Sequence, residues 1–263
     1  MGQRITQNQM VRNAVYDSII VGKIKPGERV SEKALARTLG CSIIPVREAL
    51  SHLISLGVFE KIPHNGTFAR ELTPQEMMAH ADSRLVSYTY AVGRAAARPD
   101  PEGLAMLKAA FIALAQSASG VTDLQLAKAP ESEWLEFLNC TIKELLHIYK
   151  CIVLAADLPS QREAYERGDL LYILSSRSIW TALSRESMIG FIQDVFVDDP
   201  MSCFLPAIEA RDSAEAQRLH FAQHQRMTLN VMQRLATAGV ELSPPGSTSI
   251  GLTGATFRFS SQR

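Results

Sequence analysis

Apolar residues at Val11, Val15 and Ile19 recur every fourth position, which puts one stripe on a helix over residues 5–22. Gly22 ends that helix, and Lys25-Pro26-Gly27-Glu28 reads as a turn. Ser31 is a good N-cap, with Glu32 in the first turn behind it. The second helix carries Ala34, Leu35 and Leu39 and stops at Gly40. Two residues later Ser42 caps a third helix, and Pro45 falls in its first turn, where a missing N–H costs nothing. Val46, Leu50 and Leu53 make the inner stripe, and Gly57 ends it. Residues 58–62 and 67–70 then read as two short strands around Pro63-His64-Asn65-Gly66. Asn-Gly between apolar runs is a hairpin signal. The tight link between the second and third helices, followed by a hairpin, is the winged helix-turn-helix pattern. The outward face of the third helix then carries Ile43, Ile44, Arg47 and Ser51, a face that fits a major groove. The alternative is a three-helix packing domain that binds no nucleic acid.

From Thr73 the period lengthens into long helices. Residues 74–97 carry Met77, Ala81, Leu85, Tyr88 and Val92 on one stripe, and Pro99 and Pro101 break it. Helices over 101–118 and 131–156 follow. The second of these is apolar on most sides and belongs in the middle of a bundle. Two or three more helices fill 160–197, and a shorter one covers 201–210. Asp212 and Glu215 form a capping pattern for a last helix over 213–238, which ends at Gly239. The fold class is therefore mainly α: a winged helix-turn-helix over 1–72, then an all-α antiparallel bundle over 73–240. The tail 241–263 is rich in Ser, Thr, Gly and Pro and reads as disordered. Within it, residues 255–259 alternate weakly enough to add an edge strand.

Charge sharpens this division. The chain of 263 residues has zero formal net charge, but residues 1–70 hold ten Lys and Arg against five Asp and Glu. A basic head on an acidic body points to nucleic acid. With 46% hydrophobic and 21% charged residues the composition is that of a globular protein, not a disordered chain. No apolar run is long enough to span a bilayer, and no apolar core follows Arg4 as a secretory signal needs. Four cysteines without paired spacing read as free thiols in a reducing cytoplasm.

Three stretches carry a resemblance. Ile24-Lys25-Pro26-Gly27-Glu28, Ser31-Glu32-Lys33-Ala34-Leu35-Ala36 and Gly40-Cys41-Ser42-Ile43-Ile44-Pro45-Val46-Arg47-Glu48-Ala49-Leu50 look like the GntR family of bacterial transcription regulators, with Pro63-His64-Asn65-Gly66-Thr67 as its wing. The helical remainder is similar to the FadR-like branch, whose ligand domain is the bundle called FCD. The resemblance implies DNA contacts from Lys33, Ser42, Ile43, Ile44 and Arg47, and from His64, Asn65 and Gly66 at the wing tip. It also implies a homodimer on a palindromic operator, a cytoplasmic location and no enzymatic activity. The family pattern usually has an Arg after Ser42. Here Ile43 and Ile44 stand in its place, which predicts a site less rich in G at that position and thymine methyls as partners.

For the bundle the resemblance implies a small-molecule effector, most readily a carboxylate. Arg84 matches the arginine that faces the ligand, while Tyr88 replaces the Glu that normally follows it by four. Tyr88, His147, His220 and His224 complete the expected effector set. Many members also hold a metal through an Asp-x-x-x-His pair and two further histidines. This chain has no such pair; Glu76 and His80 have the spacing but read as a solvated helix end, and Met201 stands where a middle His is expected. His220 and His224 nonetheless share an inward stripe, and Cys140, Glu144, His147 and Cys151 share a face. His220, His224, His147 and Glu144 are thus candidate ligands for a divalent metal, zinc or nickel. The alternative is hydrogen-bonded interior histidines and small core cysteines. A helical metalloenzyme built on these residues and a regulator that has lost its ligand are the competing functions. Arg84, if inward, needs a partner: a ligand carboxylate, or Glu144 or another acid of the bundle.

Overall fold

The computed structural model describes residues 7–72, 74–119, 124–198, 201–239, 242–243 and 256–257. Helix α1 (Gln7–Ile20) buries the predicted stripe: Val15 and Ile19 are fully enclosed and Val11 nearly so. Strand β1 (Arg29–Val30) leads to α2 (Glu32–Leu39), where Ser31 Oγ accepts from the Ala34 amide at 3.3 Å and Gly40 closes the helix in a left-handed conformation. Helix α3 (Ile43–Ser55) buries Val46, Ala49, Leu50 and Leu53 against α1. Strands β2 (Phe59–Ile62) and β3 (Gly66–Ala69) form the wing, with Lys61 opposite Thr67 and Ile62 opposite Gly66.

The sheet has three strands, in the order β1-β3-β2, all antiparallel. Arg29 pairs with Phe68 and Val30 with Thr67, a strand the sequence pattern does not show because two residues after a Pro-Gly turn have no alternation to read. The wing loop is also one residue shorter than the four expected, because Gly66 pairs with Ile62. Residues 63–65 form a three-residue loop, and His64, with φ +64°, takes the left-handed position.

Behind the head come α4 (Pro74–Ala97), α5 (Pro101–Ser119), α6 (Leu124–Ala127), α7 (Glu131–Ala155), α8 (Arg162–Ala182), α9 (Arg185–Ile192), a π-helical turn at Gln193–Asp198, a 3-10 turn at Met201–Phe204, α10 (Leu205–Glu209) and α11 (Ser213–Thr237). Asp212 Oδ1 accepts from the Glu215 amide at 3.0 Å and caps α11 as its sequence implies. Helix α7 is central, packing on α5, α4 and α8 and touching α1. Gly103 lets α5 meet α7 backbone to backbone: a Cβ there would lie 2.6 Å from the Ala155 nitrogen. In the tail, β4 (Leu242–Ser243) and β5 (Thr256–Phe257) pair antiparallel, and β5 lies against α4. The other residues expected to be disordered in 241–263 fall outside the described ones. Among the described residues no helix is long and apolar enough to cross a membrane.

Head and bundle share a core. Ile142 of α7 and Leu170, Leu171, Ile173 and Leu174 of α8 join the head cluster around Val15, Ile19 and Leu50. Polar contacts follow the same seam. Asp17 lies 3.4 Å from Lys143, His52 lies 3.9 Å from Glu163, and Arg70 pairs with Glu76. Burial across such a seam makes the two parts one cooperative unit. Leu171→Ala is therefore expected to cost about 2–5 kcal/mol and to shift a single calorimetric transition. Two separated transitions, with only one moved, would show independent folding.

Candidate functional site

The outward face of α3 and the wing form one surface. Ile44 is 68% exposed, and Arg47 Nε lies 3.2 Å from Glu32 Oε2 with a side chain 67% exposed. Ser42 takes the N-cap position, but its hydroxyl makes no capping bond and stays outward. Lys33 is exposed at the start of α2, beside this face. Ile43 departs from expectation: it is half-buried and packs on the head core, so the outward apolar contact falls to Ile44 alone. At the wing tip His64 and Asn65 are exposed, and the Asn65 amide donates to the Ile62 carbonyl at 3.1 Å. Gly66, with φ +111°, lies against the Arg29 guanidinium, which a Cβ would meet at 3.1 Å. Arg29 thus adds a cation to the wing tip that the sequence reading missed, since β1 itself was unseen.

The second cluster lies inside the bundle. Arg84 of α4 is 4% exposed. Its Nε donates to Asp169 Oδ1 at 3.2 Å, and Nη2 is 2.8 Å from the same oxygen but poorly aligned with it. The guanidinium is boxed by the rings of Tyr88, Tyr149 and Tyr172, at 5.3, 4.5 and 4.2 Å from their centroids, an arrangement that favours the cation. Tyr88 Oη donates to the Asp169 carboxylate at 2.9 Å. The carboxylate that answers Arg84 therefore comes from α8, and Glu144 is not the partner. Burial lifts the Asp169 carboxyl to about 6, against the pull of Arg84 and of the Tyr88 hydroxyl. Arg84 itself is held charged by Asp169 in spite of its burial. Both are ionised at neutral pH.

His220 and His224 are buried on α11 as their stripe implies. His220 Nδ1 shares a 2.9 Å hydrogen bond with Thr89 Oγ1, and its ring stacks on His224 with centroids 6.3 Å apart. Burial, with Arg84 near both, depresses His220 to about 4 and His224 to about 3, so both are neutral.

The expected metal set does not assemble. His147 is exposed and its Nε2 contacts Cys151 Sγ at 3.7 Å, one turn along the same helix. Glu144 is half-buried, and burial raises its carboxyl. Among the described residues no three His, Cys, Asp or Glu converge as metal ligands. Two histidines, one of them bonded to Thr89, do not fit a zinc or nickel site, which needs more donors. The metalloenzyme reading loses its ligand set with them. Glu76 and His80 form no pair aimed at a metal either, since Glu76 is taken by Arg70.

Two outcomes test this cluster. Arg84→Leu leaves Asp169 buried without its cation, and a loss of about 3–5 kcal/mol is expected in urea unfolding. Most of that loss returns in the double variant with Asp169→Leu; a double variant as unstable as the single one would disprove the pairing. The histidines set the acid response. Their folded values lie below the ordinary 6.5, so from pH 6.5 to about 4 the unfolded chain binds protons that the folded chain refuses, and stability falls with pH. Asp169, raised from 3.8 to about 6, acts in the opposite sense in that window but is one group against two. The melting temperature is expected to drop between pH 7 and pH 5, and His224→Leu to flatten the drop.

The comparisons with known proteins follow this division. Residues 7–69 match the family model described as bacterial regulatory proteins, gntR family. An HTH-type transcriptional regulator of Mycobacterium tuberculosis is 28% identical over 113 residues, 43% of this chain and 46% of that protein. A probable D-xylose utilization operon transcriptional repressor of Paenarthrobacter nicotinovorans is 32% identical over 117 residues, 44% of this chain and 51% of that one. McbR of Escherichia coli is 30% identical over 106 residues, 40% of this chain and 48% of McbR. The chain thus spans about half the length of the curated relatives it matches. The solved structure of McbR/YncC aligns over 88% of this chain and 99% of its own, with TM-score 0.69 and 20% identity, a likeness of fold. Residues 7–69 fold as a winged helix-turn-helix domain similar to the GntR family of bacterial regulatory proteins, followed here by a helical bundle.

Proposed function

We propose that the protein is a cytoplasmic, ligand-responsive transcription regulator of the FadR-like branch that reads a palindromic operator as a homodimer. The observation that carries the reading is the exposed pairing of Ile44 and Arg47 on α3 beside a wing whose tip presents Arg29, His64 and Asn65. Arg47 reads a guanine edge, where its fork matches O6 and N7. Ile44 meets a thymine methyl. Lys33 and the free Ser42 hydroxyl hold phosphates, which fix register without reading sequence. The wing tip, open at Gly66, enters the minor groove. Two heads on a two-fold dimer place α3 in successive major grooves, about one helical turn apart.

The Arg84–Asp169 pair bears on the effector. A ligand carboxylate at Arg84 would have to displace an internal one that Tyr88 also holds. This favours a second reading for the bundle interior, in which Arg84, Tyr88, His220 and His224 brace the fold and hold no ligand, while His147 lies apart from them, exposed on α7.

Selection of random duplexes by the purified protein at about 0.15 M salt tests the function, because non-specific phosphate binding fades with salt. A palindromic consensus is expected, poor in G at the position the family usually reads. Arg47→Ala should cost about 1–3 kcal/mol and relax one base pair. Lys33→Ala should weaken all sequences alike. Binding with no consensus, abolished by salt, would refute sequence reading.

A further inference from the structure

A cavity of about 570 Å³ opens between the head and the bundle, walled by α1 on one side and by α7 and α8 on the other. That is large enough for a small organic ligand. Its cations come from all three helices: Arg12 from α1, Lys143 and Lys150 from α7, and Arg162 from α8. Several charges in the wall are already spent. Lys143 faces Asp17 at 3.4 Å, and Asp169, at the floor, is held by Arg84 and Tyr88. Arg12, Lys150 and Arg162 then face the single carboxylate of Glu166. At the wall, the buried Arg12 Nε of α1 has no hydrogen-bond partner, and the Tyr16 hydroxyl, on the same helix, has the Glu166 carboxylate beside it. Arg12 and Tyr16 stand four residues apart on one face of α1, and the Arg12 guanidinium lies 5.9 Å from the Tyr16 ring centroid. Burial and the Glu166 charge raise the Tyr16 phenol, so it remains an O–H donor. The rest of the wall mixes apolar residues, Ile20, Leu146 and Leu170 among them, with Asn13, Tyr88, His147 and Tyr165.

An unsatisfied buried donor such as Arg12 Nε costs free energy until something fills it. We propose that this cavity binds a small organic anion with an apolar body, its charged group held by Arg12, Lys150 and Arg162 and by the Tyr16 hydroxyl. The site is distinct from the bundle interior, where the buried Arg84 already has an anion within the chain. Its walls belong to different domains. An occupant therefore touches the head and the bundle together and narrows the range of angles between them, which changes how well two heads fit two half-sites. That consequence rests on the DNA-binding reading above; the binding itself does not.

The test uses the full chain without DNA and 8-anilinonaphthalene-1-sulfonate as the probe, an anion with an aromatic body that brightens in apolar surroundings. One probe per chain is expected, bound about tenfold more weakly in Arg12→Gln and in Lys150→Gln. Lys150 is exposed, so its replacement leaves the core intact. Displacement by salicylate identifies a carboxylate site, and displacement by phenyl phosphate identifies a phosphate-ester site. Hydrogen exchange locates the occupant: slowed amides in Gln7–Ile20 support the cavity. Unchanged affinity in both variants, displacement by neither competitor, or protection confined to α11 around His220 and His224 would each overturn the proposal. A chain that selects a DNA consensus but fails these tests loses the cavity and keeps the DNA reading. One that passes them but selects no sequence does the reverse.

Discussion

Helix α1 sits in the one core that the head and the bundle share, and the rest of the structure depends on that position. Val15 and Ile19 are fully enclosed because α3 covers one side of the helix and α8 the other. A head of some sixty residues has little core of its own, and small domains bury too little surface to be robust alone. Leu170, Leu171 and Leu174 supply what the head lacks. The position of α3 is consequently set from the bundle side, through α1 and through the His52–Glu163 contact. The same geometry leaves a cavity at the edge of the seam, where α1 diverges from α7.

The bundle interior follows a different constraint. An arginine in an apolar core is tolerable only with a full complement of partners. Arg84 finds them in Asp169 and three tyrosine rings, with Tyr88 serving both ions. The neutral histidines next to it avoid adding a second positive charge. Such a cluster is a rigid, internally balanced block. It transmits position well, and it accepts a new ion only by breaking something already made.

How much of this was legible in the sequence divides along physical lines. Helices with clean stripes and caps, such as α3 and α11, lie within a residue or two of their predicted limits, because periodicity and capping are local properties. The wing hairpin was readable from Asn-Gly, but its turn was not: His64 took the left-handed position, a choice made by the register between β2 and β3. Strand β1 is two residues long and exists only because β3 is there to pair with it, so Arg29 went unnoticed. Ile43 reads as outward on a helical wheel, yet it is half-buried and packs against the head core. Arg84 was legible as an inward cation in need of a partner. Asp169 was not, since nothing local to Gly168-Asp169-Leu170 says which helix it will face. The divergence of His147 from His220 is likewise a matter of helix placement, invisible to spacing along a single helix.

Under the proposed function, the Glu32–Arg47 pair would shape how the head meets DNA. An arginine 3.2 Å from a carboxylate is not an empty hand. Any partner on the duplex must outbid that carboxylate. A lone phosphate oxygen offers a single charge in return for the one given up, a near-even exchange. The paired acceptors of a guanine edge offer two aligned bonds, and there the exchange runs forward. On the proposed function, the head carries its own internal competitor, which would dampen sticking to arbitrary duplex and let the molecule leave wrong sequences quickly.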